Sequence, residues 1–329
     1  MKMKLTRRRF GQMAIASTAV AGLGYFASKT FAQTKKLGIV GVRPGVTTST
    51  SNAATTIDST EIDPTAAGGA ASTQISADAA GGGVASTGRS LIVESLDTAS
   101  NQVQALTTPQ LLQDATTLVL EVGEQLTGLT SLADGTLVLA ITPVSTSRKG
   151  DNPTRLTFLG TPSKTLTVSG LKKQEALESL LFTNDGSLLG LVVKKNASPP
   201  VRLVDINPQT GEISSKDKVT LPGNEQFSNL AQCPDGKIYT TSVERDGSTN
   251  LVQLDLAQKK PITQVQLRFN NTVWIGGLNS LVCSLEGQLF AFGARWHESP
   301  KYLHTVDVSS GVMTRLRAFD VAKVTFSRA

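Results

Sequence analysis

Phe227-Ser228-Asn229-Leu230-Ala231-Gln232-Cys233-Pro234-Asp235-Gly236-Lys237-Ile238 is one of four gapless variants of a single phrase. The others run from Leu126-Thr127-Gly128-Leu129 to Asp134-Gly135-Thr136-Leu137, from Leu177-Glu178-Ser179-Leu180 to Asp185-Gly186-Ser187-Leu188, and from Leu278-Asn279-Ser280-Leu281 to Glu286-Gly287-Gln288-Leu289. Their shared pattern is an apolar residue, any residue, a small or polar one, Leu, four residues, an acid, Gly, any residue, then Leu or Ile. Gly135, Gly186, Gly236 and Gly287 follow one another at intervals of 51, 50 and 51 residues. A fixed period of that length is the mark of a repeat architecture.

Each phrase supplies a strand, a tight turn and the start of a second strand. Gly takes positive φ freely and a neighbouring carboxylate accepts hydrogen bonds from the local backbone, so the acid–Gly pairs suit turns. Asp134, Asp185, Asp235 and Glu286 are therefore read as turn formers and not as catalysts. Second strands follow at Leu137–Ile141, Leu188–Val193, Ile238–Ser242 and Leu289–Ala294, and third strands at Arg155–Leu159, Val201–Ile206, Leu251–Leu256 and Tyr302–Val308. Fourth strands fit Thr165–Leu171, Glu212–Val219, Ile262–Phe269 and Val312–Phe319. No segment in this region has long 3.6-residue periodicity. Four antiparallel strands per unit of about 50 residues predict an all-β fold, a β-propeller of four-stranded blades.

Four complete blades are few for a closed ring. The tail Val321–Ala329 repeats the first half of the phrase and stops before any turn, while Leu37–Arg43, Leu91–Asp97 and Val103–Leu106 resemble the three missing strands. The expectation is five blades over residues 88–329, with residues 33–45 adding a strand to a closing blade whose inner strand is the tail. Closure removes exposed sheet edges. Thr117–Val122 either belongs to that blade or begins a sixth.

The net charge of +6 does not describe this body. Lys2, Lys4, Arg7, Arg8, Arg9 and Lys29 lie in residues 1–32, which carry no acid; the rest of the chain has 26 basic and 26 acidic residues. A neutral body has no electrostatic footprint for nucleic acid. Thr6-Arg7-Arg8-Arg9-Phe10, a mildly apolar Phe10–Ala27 and the small residues around Thr30-Phe31-Ala32 resemble a twin-arginine export signal, although Gly11 and Gln12 depart from its usual Leu-Lys. The resemblance rests on Arg7, Arg8 and Phe10. It implies the Tat translocase as partner during export and a folded passage to the periplasm, or to a thylakoid lumen in a photosynthetic source. It also implies cleavage with no stable membrane anchor, an uncleaved anchor being the alternative. Residues 46–87 are almost all Thr, Ser, Ala and Gly, with no aromatic, Lys or Arg, and read as disordered.

Cys233 and Cys283 stand three and four residues before their turn glycines. Side chains alternate along a strand, so these offsets put them on opposite faces and favour two buried thiols over a disulfide. With only His297 and His304 as histidines, no spacing suggests zinc.

The copies, above all Ser228-Asn229-Leu230-Ala231-Gln232-Cys233-Pro234-Asp235-Gly236-Lys237-Ile238-Tyr239, resemble the phrases of NHL, YVTN and SMP-30-like propellers. In the lactonases of that group a divalent metal is held by an early Glu, an Asn before such a phrase and an Asp after the next strand. Asn229 matches the Asn; Thr240, Thr241 and Ser242 stand where the Asp belongs, and the Glu motif has no counterpart. A hard cation needs several oxygen ligands, so no metal or cofactor is expected. By analogy with propellers, a ligand site falls at the channel mouth formed by the residues that open each phrase. These are Thr127 and Gly128, Glu178 and Ser179, Ser228 and Asn229, Asn279 and Ser280, joined by Lys323. A second candidate is the loop holding Arg295, Trp296, His297 and Tyr302, where aromatic and Arg residues gather as in binding hot spots. The functional expectation is an exported, non-catalytic binding or scaffold protein acting through its faces and loops on a protein or envelope component. The alternative is an exported SMP-30-like hydrolase or lactonase with a degenerate central site.

Overall fold

The computed structural model describes residues 38–45, 89–97, 102–105, 119–121, 123–143, 153–160, 163–172, 174–194, 201–221 and 225–327. The residues that resemble an export signal, including Arg7, Arg8 and Phe10, and the 46–87 segment lie outside the described residues. The chain enters on β1 (Ile39–Pro44), β2 (Arg89–Asp97), β3 (Gln102–Ala105) and β4 (Val119–Leu120). A first blade follows from β5 (Glu124–Ser131), β6 (Leu137–Pro143), β7 (Arg155–Leu159) and β8 (Lys164–Thr167), and a second from β9 (Glu175–Phe182), β10 (Leu188–Lys194), β11 (Val201–Ile206) and β12 (Ile213–Leu221). The third comprises β13 (Gln226–Gln232), β14 (Ile238–Val243), β15 (Thr249–Asp255) and β16 (Lys260–Gln266). After the short β17 (Arg268–Phe269) and β18 (Thr272–Val273) comes the fourth, β19 (Ser280–Cys283), β20 (Leu289–Gly293), β21 (Tyr302–Val306) and β22 (Val312–Ala318), before the final β23 (Lys323–Phe326).

The ring closes as the tail's resemblance to the phrase requires. β23 pairs with β1, Val324 opposite Gly41 and Phe326 opposite Ile39, and the fifth blade runs in the order β23-β1-β2-β3. β4 pairs with β2, so residues near Thr117–Val122 belong to this blade and do not begin a sixth. The inner strands β5, β9, β13, β19 and β23 touch one another in cyclic order.

The apolar positions explain why the ring holds. The core is five layers, one between each pair of neighbouring blades. In the layer between the first and second blades, Val138 and Leu156 meet Leu177, Leu188 and Val204. The repeated Leu of the phrase contributes one residue to every layer: Leu129, Leu180, Leu230 and Leu281, with Val324 taking that place in the tail. The turn reading also holds. Gly135, Gly186, Gly236 and Gly287 have φ of 85°, 87°, 83° and 86°, and Asp134, Asp185 and Asp235 accept the backbone N–H two residues on. In the fourth copy the longer Glu286 yields that role to Ser284, whose Oγ accepts the Gln288 N–H at 3.2 Å.

Two expectations are corrected. Ile262–Phe269 is not one strand: β16 ends at Gln266, fully buried Leu267 turns inward, and β17 crosses to run parallel to β22 of the next blade. Asn270 and Asn271, at φ 50° and 60°, fold β18 back on it, Asn tolerating the left-handed region. The crossing needs Gly311, whose carbonyl accepts the Arg268 N–H and where a Cβ would come within 2.2 Å of the Gln266 carbonyl oxygen. The second correction is that Cys233 and Cys283 are joined, with Cα atoms 5.2 Å apart. Opposite faces do separate two residues of one sheet. Cys233 directly follows β13 and Cys283 ends β19, inner strands of adjacent blades, where the forward face of one sheet meets the backward face of the next, so opposite offsets are what bring them together.

His304 of β21 is fully buried between Phe269, Trp274 and Tyr302, with ring centroids 5.4, 5.3 and 6.4 Å away. Among the described residues neither ring nitrogen has a partner in good hydrogen-bond geometry, the Tyr302 and Ala291 backbones near the ring offering only weak support to its charged form. Burial, reinforced by the Arg315 charge, lowers its pKa from 6.5 to about 4. The unfolded chain therefore binds the proton first as pH falls. Stability from this group is complete above pH 6.5 and is lost between pH 6.5 and about 4, by about 3 kcal/mol in all. Denaturant melts at pH 7 and pH 4.5 are expected to show most of that loss, and His304→Gln is expected to flatten the slope.

Candidate functional site

The residues that open each phrase are brought together, and local backbone irregularity positions them. In the first three blades the inner strand carries a β-bulge there: Thr127, Glu178 and Asn229 have no opposite partner on the second strand. A bulge re-aims the side chain it carries, and Asn229 accordingly takes φ 60°. Just outside, Glu124 and Glu175, which begin β5 and β9, bond Arg155 and Arg202 of the third strands at 2.7 and 2.9 Å, pinning the blade ends at this mouth.

Thr127, Gly128, Ser179, Asn229, Asn279, Ser280 and Lys323 all line one axial cavity, but its volume is only about 10 Å³. That is about the smallest space able to hold one water. Their polar atoms are largely committed to one another. Thr127 Oγ1 lies 3.2 Å from Thr142 Oγ1, and Lys323 Nζ donates to the Asn279 carbonyl at 2.8 Å. Ser280 Oγ accepts the Val324 N–H at 3.0 Å. Asn229 Nδ2 is shared among Ser228 Oγ, Thr241 Oγ1 and the Leu278 carbonyl at 3.0–3.1 Å, fastening the third blade to the fourth. Glu178 is the exception: among the described residues its carboxylate is held by the attraction of Lys323. Burial raises the Glu178 carboxyl and lowers the Lys323 ammonium, each opposed by the other's charge.

A divalent cation does not fit this constellation. Its one family-matching ligand, Asn229, is tied into the fold, and its nearest carboxylate, Glu178, already faces an ammonium. Among the described residues no group of three or more His, Cys, Asp or Glu is gathered in metal-binding fashion.

The loop between β20 and β21 is different in kind. Glu298 organises it: its backbone N–H donates to the Arg295 carbonyl at 2.8 Å and its Oε2 accepts the Arg295 N–H at 3.2 Å. The same carboxylate pairs with Arg315, whose guanidinium lies 3.9 Å above the Tyr302 ring and 4.8 Å from that of Phe269. Burial works against the Glu298 charge, but the Arg295 backbone and Arg315 hold its pKa below the ordinary carboxylate value. On this anchored turn His297 adopts φ 65° and Trp296 stands 73 % exposed, its ring edge-to-face with His297 at 5.2 Å. Of the four expected contact residues, Trp296 and His297 project, Arg295 is half-buried and Tyr302 serves beneath as the platform for Arg315.

Sequence reasoning missed the other end of the axis. A cavity of about 320 Å³ opens at the acid–Gly turns. Four of its lining residues, Ala133, Asn184, Pro234 and Leu285, each immediately precede the acid of a phrase. The signal was present in the aligned copies, where that column is uncharged in all four.

No protein-family model and no curated protein matches the chain. Solved structures to which the chain is similar include the calcium-binding protein regucalcin from Agrobacterium tumefaciens, at 14 % identity over 72 % of this chain and 70 % of that one, with a TM-score of 0.39. AofleA from Arthrobotrys oligospora is 13 % identical over 72 % of this chain and 69 % of its own, at 0.44. A protein of unknown function from Dyadobacter fermentans is 8 % identical over 70 % and 72 %, at 0.49. Likeness at this level bears on neither ligand nor activity.

Proposed function

We propose that this five-bladed propeller is an exported, non-catalytic binding or scaffold protein that engages a protein or envelope component through the loop carrying Trp296. The observation that carries the reading is Trp296 itself, 73 % exposed on a turn fixed by Glu298 and Arg315. An aromatic held out on a rigid support presents a large apolar area whose ordering entropy has already been met, which is how interface anchors work. The disulfide between Cys233 and Cys283 supports export, since such bonds persist in oxidising compartments. The metal-dependent lactonase alternative loses its support with Asn229, whose amide is occupied in joining two blades.

Co-purification from the exported compartment tests the reading, using wild type and Trp296→Ala. An exposed residue can be truncated without loss of the fold, so equal melting temperatures are expected. Recovery of the specific partner is expected to fall by about 30-fold, a loss of about 2 kcal/mol typical of a hot spot. Equal recovery by both proteins would overturn the assignment.

A further inference from the structure

The cavity at the acid–Gly end of the axis is built by the repeat, and it is blind. Ala133, Asn184, Pro234 and Leu285 form its rim, one from each of the four complete phrases. Cys283, Ser284 and Phe326 lie deeper: Cys283 belongs to the bond that clasps two inner strands, and Phe326 to the tail strand that closes the ring. Farther along the axis the shaft narrows to cavities of about 40 and then about 10 Å³, both lined by Leu129, Leu180, Leu230 and Leu281. A ligand entering from the turns is therefore stopped by the repeated leucines and cannot pass through.

The lining selects the ligand's chemistry. None of the residues around the cavity is charged. Leu285 is 52 % exposed at the rim, an apolar side chain left facing solvent beside the opening. Each rim residue is followed by an exposed acid, Asp134, Asp185, Asp235 or Glu286. The carboxyls of Asp185 and Asp235 are held below their ordinary value by hydrogen bonds, from Thr183 and Lys237 respectively, so they stay charged. Only Asp235 of the four has a partner cation, Lys237 at 2.7 Å, among the described residues. An anion would thus enter past carboxylates and find no cation lining the cavity. Three amide or hydroxyl side chains line the cavity, and two are engaged in the turns: Gln232 Oε1 accepts the Asn184 N–H at 2.7 Å while its Nε2 donates to the Gly236 carbonyl at 3.2 Å, and Ser284 Oγ accepts the Gln288 N–H. Asn184 gives an Nδ2 hydrogen to the Cys233 carbonyl at 3.3 Å and offers its Oδ1 as an acceptor to orient a ligand. A volume of about 320 Å³ is at the lower end of the range for small-molecule sites, which are mostly apolar with a few convergent polar atoms.

We propose that this cup is a binding site for a small, uncharged, ring-shaped apolar molecule bearing one hydrogen-bond donor, received between Leu285 and Pro234 with its donor on Asn184. The site lies at the opposite blade ends from the Trp296 loop, because the turn joining inner and second strands and the loop joining second and third strands fall at opposite ends of an antiparallel sheet. The two can therefore stand or fall separately.

Indole is the probe, an apolar bicyclic ring with one N–H, and indole-3-acetate is its anionic counterpart. Calorimetric titration of the full chain is expected to show saturable one-to-one binding of indole, at least about tenfold tighter than indole-3-acetate. Ala133→Trp, which fills the cup from an exposed position, is expected to weaken indole by tenfold or more, and Trp296→Ala to leave it unchanged. If Ala133→Trp misfolds, Leu285→Asn removes the apolar rim without adding bulk and is expected to weaken indole in the same direction. No saturable binding of indole, equal binding of the anion, or wild-type affinity in the rim variant would each overturn the site.

Discussion

A chain ending at Asp320 is expected not to fold cooperatively. The residues it lacks include Val321, Val324 and Phe326, all buried in the layer between the fourth and fifth blades. Burying three such side chains contributes on the order of 5–8 kcal/mol, against a total stability of about 5–15 kcal/mol for a typical domain. The backbone loss adds to this, because β1 would keep only β2 as a partner and expose the Ile39–Val42 edge, an invitation to aggregation. Circular dichroism and size exclusion are the checks: the truncated chain is expected to aggregate or melt without a sigmoid transition. A peptide spanning 319–329 added during refolding is expected to recover part of the folded signal. A truncated chain that melts like wild type would show that the tail is dispensable.

The second large effect is expected at the disulfide. Cys233–Cys283 closes a loop of 50 residues, and restricting the unfolded chain by that much stabilises the fold by about 4 kcal/mol in the chain-entropy account. For a domain of this size that corresponds to roughly 8–16 °C in melting temperature. Cys233→Ser with Cys283→Ser is expected to lower the melting temperature by that amount, and reduction of the wild type to do the same. The bond joins the inner strands of the third and fourth blades, so the loss is expected to appear as faster opening between these two blades. Hydrogen exchange of the β13 and β19 amides measures this directly. Unchanged melting after confirmed reduction would contradict the role.

Much of the fold was legible because the repeat expresses one physical requirement over and over. Each blade needs a Leu for the layer behind it and a Gly at positive φ for its first turn, and those two positions recur without a gap. The truncated echo at Val321–Ala329 was legible for the same reason. What escaped were relations between blades. The disulfide depends on which faces of different sheets meet, and strand parity speaks only of faces within one sheet. The crossing of β17 to β22 depends on room beside Gly311, which no local pattern encodes. The bulges at Thr127, Glu178 and Asn229 gathered the expected mouth residues but also let them satisfy one another, leaving about 10 Å³ between them. The open cup lies at the column just before each acid, Ala133, Asn184, Pro234 and Leu285, whose varied residues show no shared pattern beyond lack of charge. Trp296 could be placed in a loop from its neighbours, but its outward pose follows from Glu298 and Arg315, residues 17 positions apart.

The ring of five blades is closed by both ends of the described chain, and a paired-cysteine cross-link tests that closure most directly. Val40 and Thr325 stand opposite each other in β1 and β23. In a background with Cys233 and Cys283 replaced by Ser, Val40→Cys with Thr325→Cys is expected to form a disulfide under mild oxidation. A register-slipped pair, Val40→Cys with Val324→Cys, is expected not to, because its side chains point to opposite faces. The cross-link would appear as the single tryptic species joining the two ends of the fold. Failure of the matched pair in folded protein, or efficient linking of the slipped one, would contradict the closure.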